Sequence, residues 1–144
     1  MKRLALLMLA ACASGPPRAL PASDWARQVW ALVRDAQHAA VAQCVPGATP
    51  RDVEAAGREI LQTRPDLGEV LHGAGHAIGL AIHEPPFLVP RVTTPLASGM
   101  IFTVEPGLYQ AGLGGIRLED DVVVREGAPE VLSTLPLELV ELSR

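Results

Sequence analysis

Residues 72–86 read HGAGHAIGLAIHEPP, and at this stretch the helical period of the chain stops. From Leu71 onward the sequence turns into short β-prone runs broken by Gly and Pro, without apolar recurrence at three and four residues. Residues 77–83, 100–105, 115–125 and 131–134 read as strands, and residues 107–114 and 126–129 as turns. Upstream the pattern is helical. Ser23 is placed to cap a helix whose apolar positions Trp25, Val29, Leu32, Val33, Ala36 and Ala40 recur with a period of about 3.6 residues. That helix must stop near Cys44, where Val45-Pro46-Gly47 supplies a pre-proline residue and a glycine. Thr49-Pro50-Arg51-Asp52 then offers a cap, a proline for the first turn and an acid three residues after the cap. A second helix follows, with Val53, Ala56, Ile60 and Leu61 inward. Two helices followed by consecutive strands predict an α+β domain, with the helices on one face of an antiparallel sheet.

The same stretch is also the most chemically specific part of the chain. It holds three of the four histidines, with glycines at 73, 75 and 79 and an acid at 84. Histidine is the commonest metal ligand and the usual proton carrier near neutral pH, so such a cluster on an apolar, glycine-rich run points to a built site.

Composition narrows the function. At 144 residues, 49% apolar and 19% charged, the chain suits one domain with a real core. A net charge of −4 and only two Trp, one Tyr and two Phe leave neither a basic stripe for phosphates nor stacking platforms for bases, which argues against nucleic acid as a partner. Two cysteines are too few for a disulfide framework or a zinc knuckle, and Cys44, inside AAVAQCV, reads as a buried thiol.

The chain divides into a leader, residues 1–22, and a domain, residues 23–144. The leader opens MKRLALLMLAACASGPP: two early cations, an apolar run from Leu4 to Ala11, and Leu9-Ala10-Ala11 before Cys12. That resembles a bacterial lipoprotein signal, with Cys12 as lipid anchor and the cell envelope as destination. The run is far short of the ~20 residues that span a bilayer. The competing reading is a segment without export role, or the opening strand of a shortened domain, which would leave the protein cytoplasmic.

Two further motifs accompany the histidines: GMIFTVEPGLY around Glu105 and GGIRLEDDVVV around Glu119. Glu105 follows the apolar residues 101–104 and precedes Pro106-Gly107, and Glu119 stands between Leu118 and Asp120-Asp121. Burying a carboxylate without a partner is expensive, so each is expected to face a cation, either a metal, Arg117, or both. One imidazole and two carboxylates on neighbouring strands suit Mn, Zn, Co or Fe.

Taken in order, these three motifs and the helical segment VRDAQHAAVAQCVPGATPRDVEAAGREIL resemble the pita-bread metallopeptidases, which include methionine aminopeptidase, aminopeptidase P and Xaa-Pro dipeptidase. The likeness is nearest to the proline-specific branch and covers roughly residues 25–143. It implies a pita-bread half-domain, the C-terminal part of the catalytic domain, with two helices on one face of a curved antiparallel sheet. By position, His76, Glu105 and Glu119 match metal ligands, normally of two divalent ions (Mn, Co, Zn or Fe). His83 matches a histidine that contacts the substrate carbonyl and stabilises the oxyanion, and His72 matches a further active-site histidine. Arg117 matches an arginine that supports the last glutamate. In such enzymes two metals bridge a hydroxide that attacks the scissile carbonyl of a short, proline-containing peptide, while the Glu105 position moves the proton to the leaving amine.

The family pattern has two more ligands, aspartates on a strand pair ahead of the helices in a Gly-Tyr-x-Ser-Asp-x-Thr-Arg segment, and this sequence carries no such segment. Asp24 and Asp35 reproduce the aspartate spacing, but about 16 Å of helix axis separates them, so they cannot share a dinuclear site. The expectation is a peptidase with two of five ligands missing. The alternative is a non-catalytic pita-bread binding protein, and a metal-free, creatinase-like hydrolase is disfavoured by the presence of all three ligand-type residues. A sheet without its neighbouring strands also presents an edge, for which a second copy of the chain is one partner.

Overall fold

The computed structural model describes residues 22–140; the leader up to position 21, Cys12 included, lies outside the described residues. Helix α1 spans Asp24–Ala42, and the Ser23 hydroxyl accepts the Ala26 N–H at 3.2 Å. Helix α2 spans Pro50–Leu61 behind a complete capping box. Thr49 Oγ1 accepts the Asp52 N–H, and the Asp52 carboxylate accepts the Thr49 N–H at 2.8 Å. Hydrogen bonds from the Thr49 side chain and backbone hold the Asp52 carboxyl below its ordinary range. Both helix starts follow the caps read from the sequence, because capping is a contact within four residues.

Among the described residues seven strands follow: β1 (Gly75–Ala77), β2 (Glu84–Leu88), β3 (Ile101–Val104), β4 (Gly107–Gln110), β5 (Gly114–Arg117), β6 (Asp120–Val123) and β7 (Glu130–Val131). They form one sheet in the order β2-β1-β3-β6-β7 and a separate β4-β5 hairpin, and every pairing is antiparallel. The α+β class and the antiparallel sheet stand; several details do not. Residues 107–114, expected as a turn, hold β4, whose Leu108 is buried under α1. The strand expected over 115–125 breaks at Leu118-Glu119, where the chain passes from hairpin to sheet. Of 77–83 only Ala77 is strand, and β2 runs instead through Glu84-Pro85-Pro86, since an edge strand tolerates prolines. Of 131–134 only Val131 is strand, although Leu132 N–H still donates to the Asp121 carbonyl at 2.8 Å. On α2, Val53 and Leu61 are buried as expected, Ala56 and Ile60 are only partly so, and Glu54 and Gly57 are buried in addition, with the Glu54 carboxylate meeting Arg58 Nε.

The core lies between helices and strands in two clusters. Ala40, Cys44 and Val53 pack on Leu88, Phe102, Val104 and Val122 of the main sheet. Nearer its N-terminus, α1 packs Val29, Val33 and Ala36 on Leu108, Ile116 and Leu118 around the hairpin. Cys44 is the buried thiol expected, and burial pushes its pKa up to about 12. Two indoles tie loops to α1: Trp25 Nε1 donates to the Leu67 carbonyl at 2.9 Å and Trp30 Nε1 to the Leu137 carbonyl at 2.8 Å.

Strand alternation gives the sheet two chemically different faces. Phe102, Val104, Val122 and Asp120 share the helix side; Thr103, His76 and Asp121 share the other, with His76 and Asp121 both opposite Thr103. On the helix side Asp120 Oδ2 accepts Gln37 Nε2–H at 2.6 Å across a buried gap. Burial pushes the Asp120 carboxyl up, against opposing hydrogen bonds from Ser133 and Gln37. A folded-state pKa above the unfolded value means that folding favours the neutral acid over the charged one. Its contribution is complete below the unfolded pKa and is lost as pH rises through the folded one. Asp120→Asn keeps an oxygen to accept the Gln37 Nε2–H and removes the charge. The variant is expected to melt higher than wild type at pH 7 in metal-free buffer, with the gain shrinking at pH 3. A lower melting temperature at pH 7 contradicts this account.

Candidate active site

The sheet face opposite the helices gathers the residues singled out in the sequence. Gly75 and Ala77 are turned to the core side, so the strand period sends His76 to the other face, where it lies 8% exposed. Its backbone N–H donates to Thr103 Oγ1 at 3.2 Å, and the Thr103 hydroxyl has Glu105 Oε1 at 3.3 Å and the His76 carbonyl at 3.4 Å as acceptors. Thr103 thereby ties the histidine strand to the glutamate two residues along its own strand. It was not singled out in the sequence, although a lone polar residue in the apolar run IFTV, in step with Glu105, was the available signal.

His76 Nδ1 lies 3.0 Å from the Ala77 carbonyl, which can only accept, so that nitrogen carries the proton. In the neutral imidazole Nε2 is then left with its lone pair, and it faces Glu105 Oε1 at 3.4 Å. Arg117 NH1 approaches the other Glu105 oxygen at 3.4 Å, and Arg117 NH2 approaches Glu119 Oε2 at 3.6 Å. The guanidinium thus stands between the two glutamates. Glu119, expected to be buried, has its side chain 43% exposed. The burial that remains raises its carboxyl above the ordinary value and the nearby Glu105 charge raises it further, while Arg117 pulls it down.

The other two histidines flank this group. The His83 ring lies 4.4 Å from that of His76 at an interplanar angle of 54°. His72 donates Nδ1–H to the Gly73 carbonyl at 2.8 Å, leaving Nε2 to accept the Tyr109 hydroxyl at 2.7 Å. Tyr109, on β4, was missed in the sequence because its strand read as a turn. Gly115 opposite it leaves the room its ring needs, since a Cβ there would collide with the ring. Burial raises the Tyr109 hydroxyl pKa, against the pull of Arg117.

The structure therefore brings His76, His83, Glu105 and Arg117 together, reaches Glu119 through Arg117, and sets His72 apart on Tyr109. As a donor set for an N/O-type ion, the Nε2 lone pair and the Glu105 carboxylate fit, with a carbonyl holding the other imidazole nitrogen as metal-binding histidines require. The fit is partial: among the described residues no three His, Cys, Asp or Glu side chains are grouped to hold one metal ion. Asp24 and Asp35 do not complete it, since both lie on α1 and Asp35 is paired with Arg34 at the surface. Arg117 and Glu119 also line a cavity of about 780 Å³ together with Leu132, Leu135 and Leu137; His76, His83 and Glu105 are not among its lining residues.

Comparison with known proteins places the chain. The Xaa-Pro dipeptidase of Pyrococcus furiosus is 36% identical over 114 residues, which are 79% of this chain and 33% of that protein. The probable dipeptidase PepE of Mycobacterium tuberculosis is 38% identical over 120 residues, 83% of this chain and 32% of that protein. Among solved structures, the Xaa-Pro dipeptidase from Bacillus anthracis superposes with a TM-score of 0.80 at 39% identity, covering 83% of this chain and 34% of that one. The chain spans about a third of the length of the relatives it matches, and its α+β half-domain is part of the pita-bread fold of those prolidases. Residues 13–126 match the description of metallopeptidase family M24, and with the motif order and fold in agreement, the chain belongs to that family of peptidases.

Proposed function

We propose that this chain carries the histidine and glutamate part of a metal-dependent exopeptidase or dipeptidase site for short, proline-containing peptides. His76, Glu105 and Glu119 are its metal ligands, and Mn, Co, Zn or Fe is the ion. The observation that carries the reading is the pair formed by the His76 Nε2 and Glu105 Oε1 atoms, an imidazole nitrogen and a carboxylate oxygen 3.4 Å apart. When bound, such an ion supplies Lewis-acid polarisation of a carbonyl. The chain's own residues do the rest. Arg117 keeps the two glutamate charges close, Glu105 is the proton carrier towards the leaving amine, and His83 is placed beside His76 to donate a hydrogen bond to a developing oxyanion. The 780 Å³ cavity that Arg117 and Glu119 line has room for a short peptide.

The test is calorimetric titration of the chain with Mn²⁺, Co²⁺ and Zn²⁺, followed by an assay for release of proline from an Xaa-Pro dipeptide. Binding by wild type that His76→Ala abolishes supports the reading; binding by neither overturns it for this chain. The partial ligand group favours a second reading, a pita-bread binding protein without turnover. Release of proline by the metal-loaded chain excludes that alternative.

A further inference from the structure

His83 lies at the end of the connection between β1 and β2, residues 78–83, and this connection has no apolar reason to keep its shape. Leu80 and Ile82 are 108% and 70% exposed, so no burial holds them. What closes the connection is the residue after His83. The Glu84 side chain folds back, and its Oε1 accepts the Ala81 N–H at 2.7 Å. The carboxylate lies over Gly79, so close that a Cβ there would come within 2.5 Å of Glu84 Oε2. Gly79 in turn donates its N–H to the Ala81 carbonyl at 3.2 Å, and Ile78 N–H is anchored on the Ile101 carbonyl of β3. Between these ties and β2 the chain must carry the His83 ring to 4.4 Å from His76.

We propose that Glu84 is a positioning residue: its carboxylate latches the 79–81 backbone and so holds the His83 ring against His76. Charge-assisted hydrogen bonds to backbone N–H groups are stronger than neutral ones, and here such a bond substitutes for the missing apolar packing. The bare Cα of Gly79 is part of the latch, since any side chain there would occupy the carboxylate's place. The latch deepens the peptidase reading, as a held His83 matters to chemistry only if that reading stands. The test below needs neither metal nor turnover, so the two fail separately.

In the full chain the nuclear Overhauser effect between the His76 and His83 ring protons reports the ring contact, and amide exchange at Ala81 reports the latch. Wild type is expected to show the ring-to-ring effect. Glu84→Ala loses it and exchanges the Ala81 amide about tenfold faster, the cost of one lost hydrogen bond. Glu84→Gln, whose amide oxygen still accepts, retains the ring contact. Gly79→Ala reproduces Glu84→Ala by pushing the carboxylate away without removing it, and together with Glu84→Gln it carries the test if Glu84→Ala fails to fold. A ring-to-ring effect that survives in Glu84→Ala or in Gly79→Ala overturns the proposal, as does its loss in Glu84→Gln.

Discussion

Gly75→Ala is expected to cost the domain its fold. Gly75 has φ +152, in the region where only glycine is comfortable, and a Cβ built on it would run into the Thr103 carbonyl oxygen of β3. That oxygen cannot retreat, because β1 pairs with β3 through Gly75, His76 and Ala77, and β3 is held on its other side by β6 along all four of its residues. Leu88, fully buried, closes the remaining side at 3.2 Å. The methyl must therefore break the β1–β3 ladder or lift β1 off the core, at about 4 kcal/mol or more, a large share of the ~5–15 kcal/mol net stability of an ordinary domain. Urea denaturation followed by circular dichroism measures it. The expected result is a chain largely unfolded at 25 °C, or with its midpoint near zero denaturant. Gly79→Ala is the control, since Gly79 lacks the positive φ and its obstructing neighbour is a movable carboxylate; it should unfold close to wild type. A Gly75→Ala midpoint equal to wild type would falsify the account.

Glu105→Gln is expected to lower divalent-metal affinity by about a hundredfold or more while leaving the metal-free fold nearly unchanged. The carboxylate touches three groups: His76 Nε2, the Thr103 hydroxyl and Arg117. A glutamine oxygen can still accept from Thr103, and Arg117, half exposed, keeps Glu119 and water, so little stability is lost. If the proposed His76–Glu105 site binds the ion, the variant loses the negative charge that favours it, and a neutral amide is a poor replacement for a carboxylate ligand. Any release of proline from an Xaa-Pro dipeptide should fall about a thousandfold, because the variant can neither hold the ion nor carry the proton. Titration calorimetry beside a thermal melt separates the two effects. Unchanged metal affinity removes Glu105 from the ligand set; a collapsed melt would mean that its role is structural.

Much of the fold was legible in the chain. Helix α1 begins at the residue after Ser23 and α2 at Pro50 because caps and first-turn prolines act within four residues. The apolar period of α1 names Val29, Val33, Ala36 and Ala40 of its buried face, while Trp25 and Leu32 are only partly buried and the buried Ala26 and Gln37 lay outside it. The strands were legible where apolar residues dominate, as in β3, and illegible where turn residues stand inside them. β2 carries Pro85-Pro86 and β4 begins at Gly107, and both read as breaks. Each is a strand because its partner is: β2 is held by β1, and β4 by the glycine-lined β5 that makes room for Tyr109.

The sequence by itself determined the α+β order of two helices and then strands, the ends of those helices, and the residue types and motif order that mark the family. Each of these is set by hydrogen bonding and periodicity over a few neighbouring residues. Only the tertiary structure decided that Thr103 joins His76 to Glu105, that Arg117 stands between Glu105 and Glu119, that Glu84 folds back beside His83, and that His72 turns to Tyr109. The physical reason is register. Side chains from strands far apart in sequence meet on one face only when the pairing brings them level, and a slip of one residue would send His76 into the core and its neighbours out.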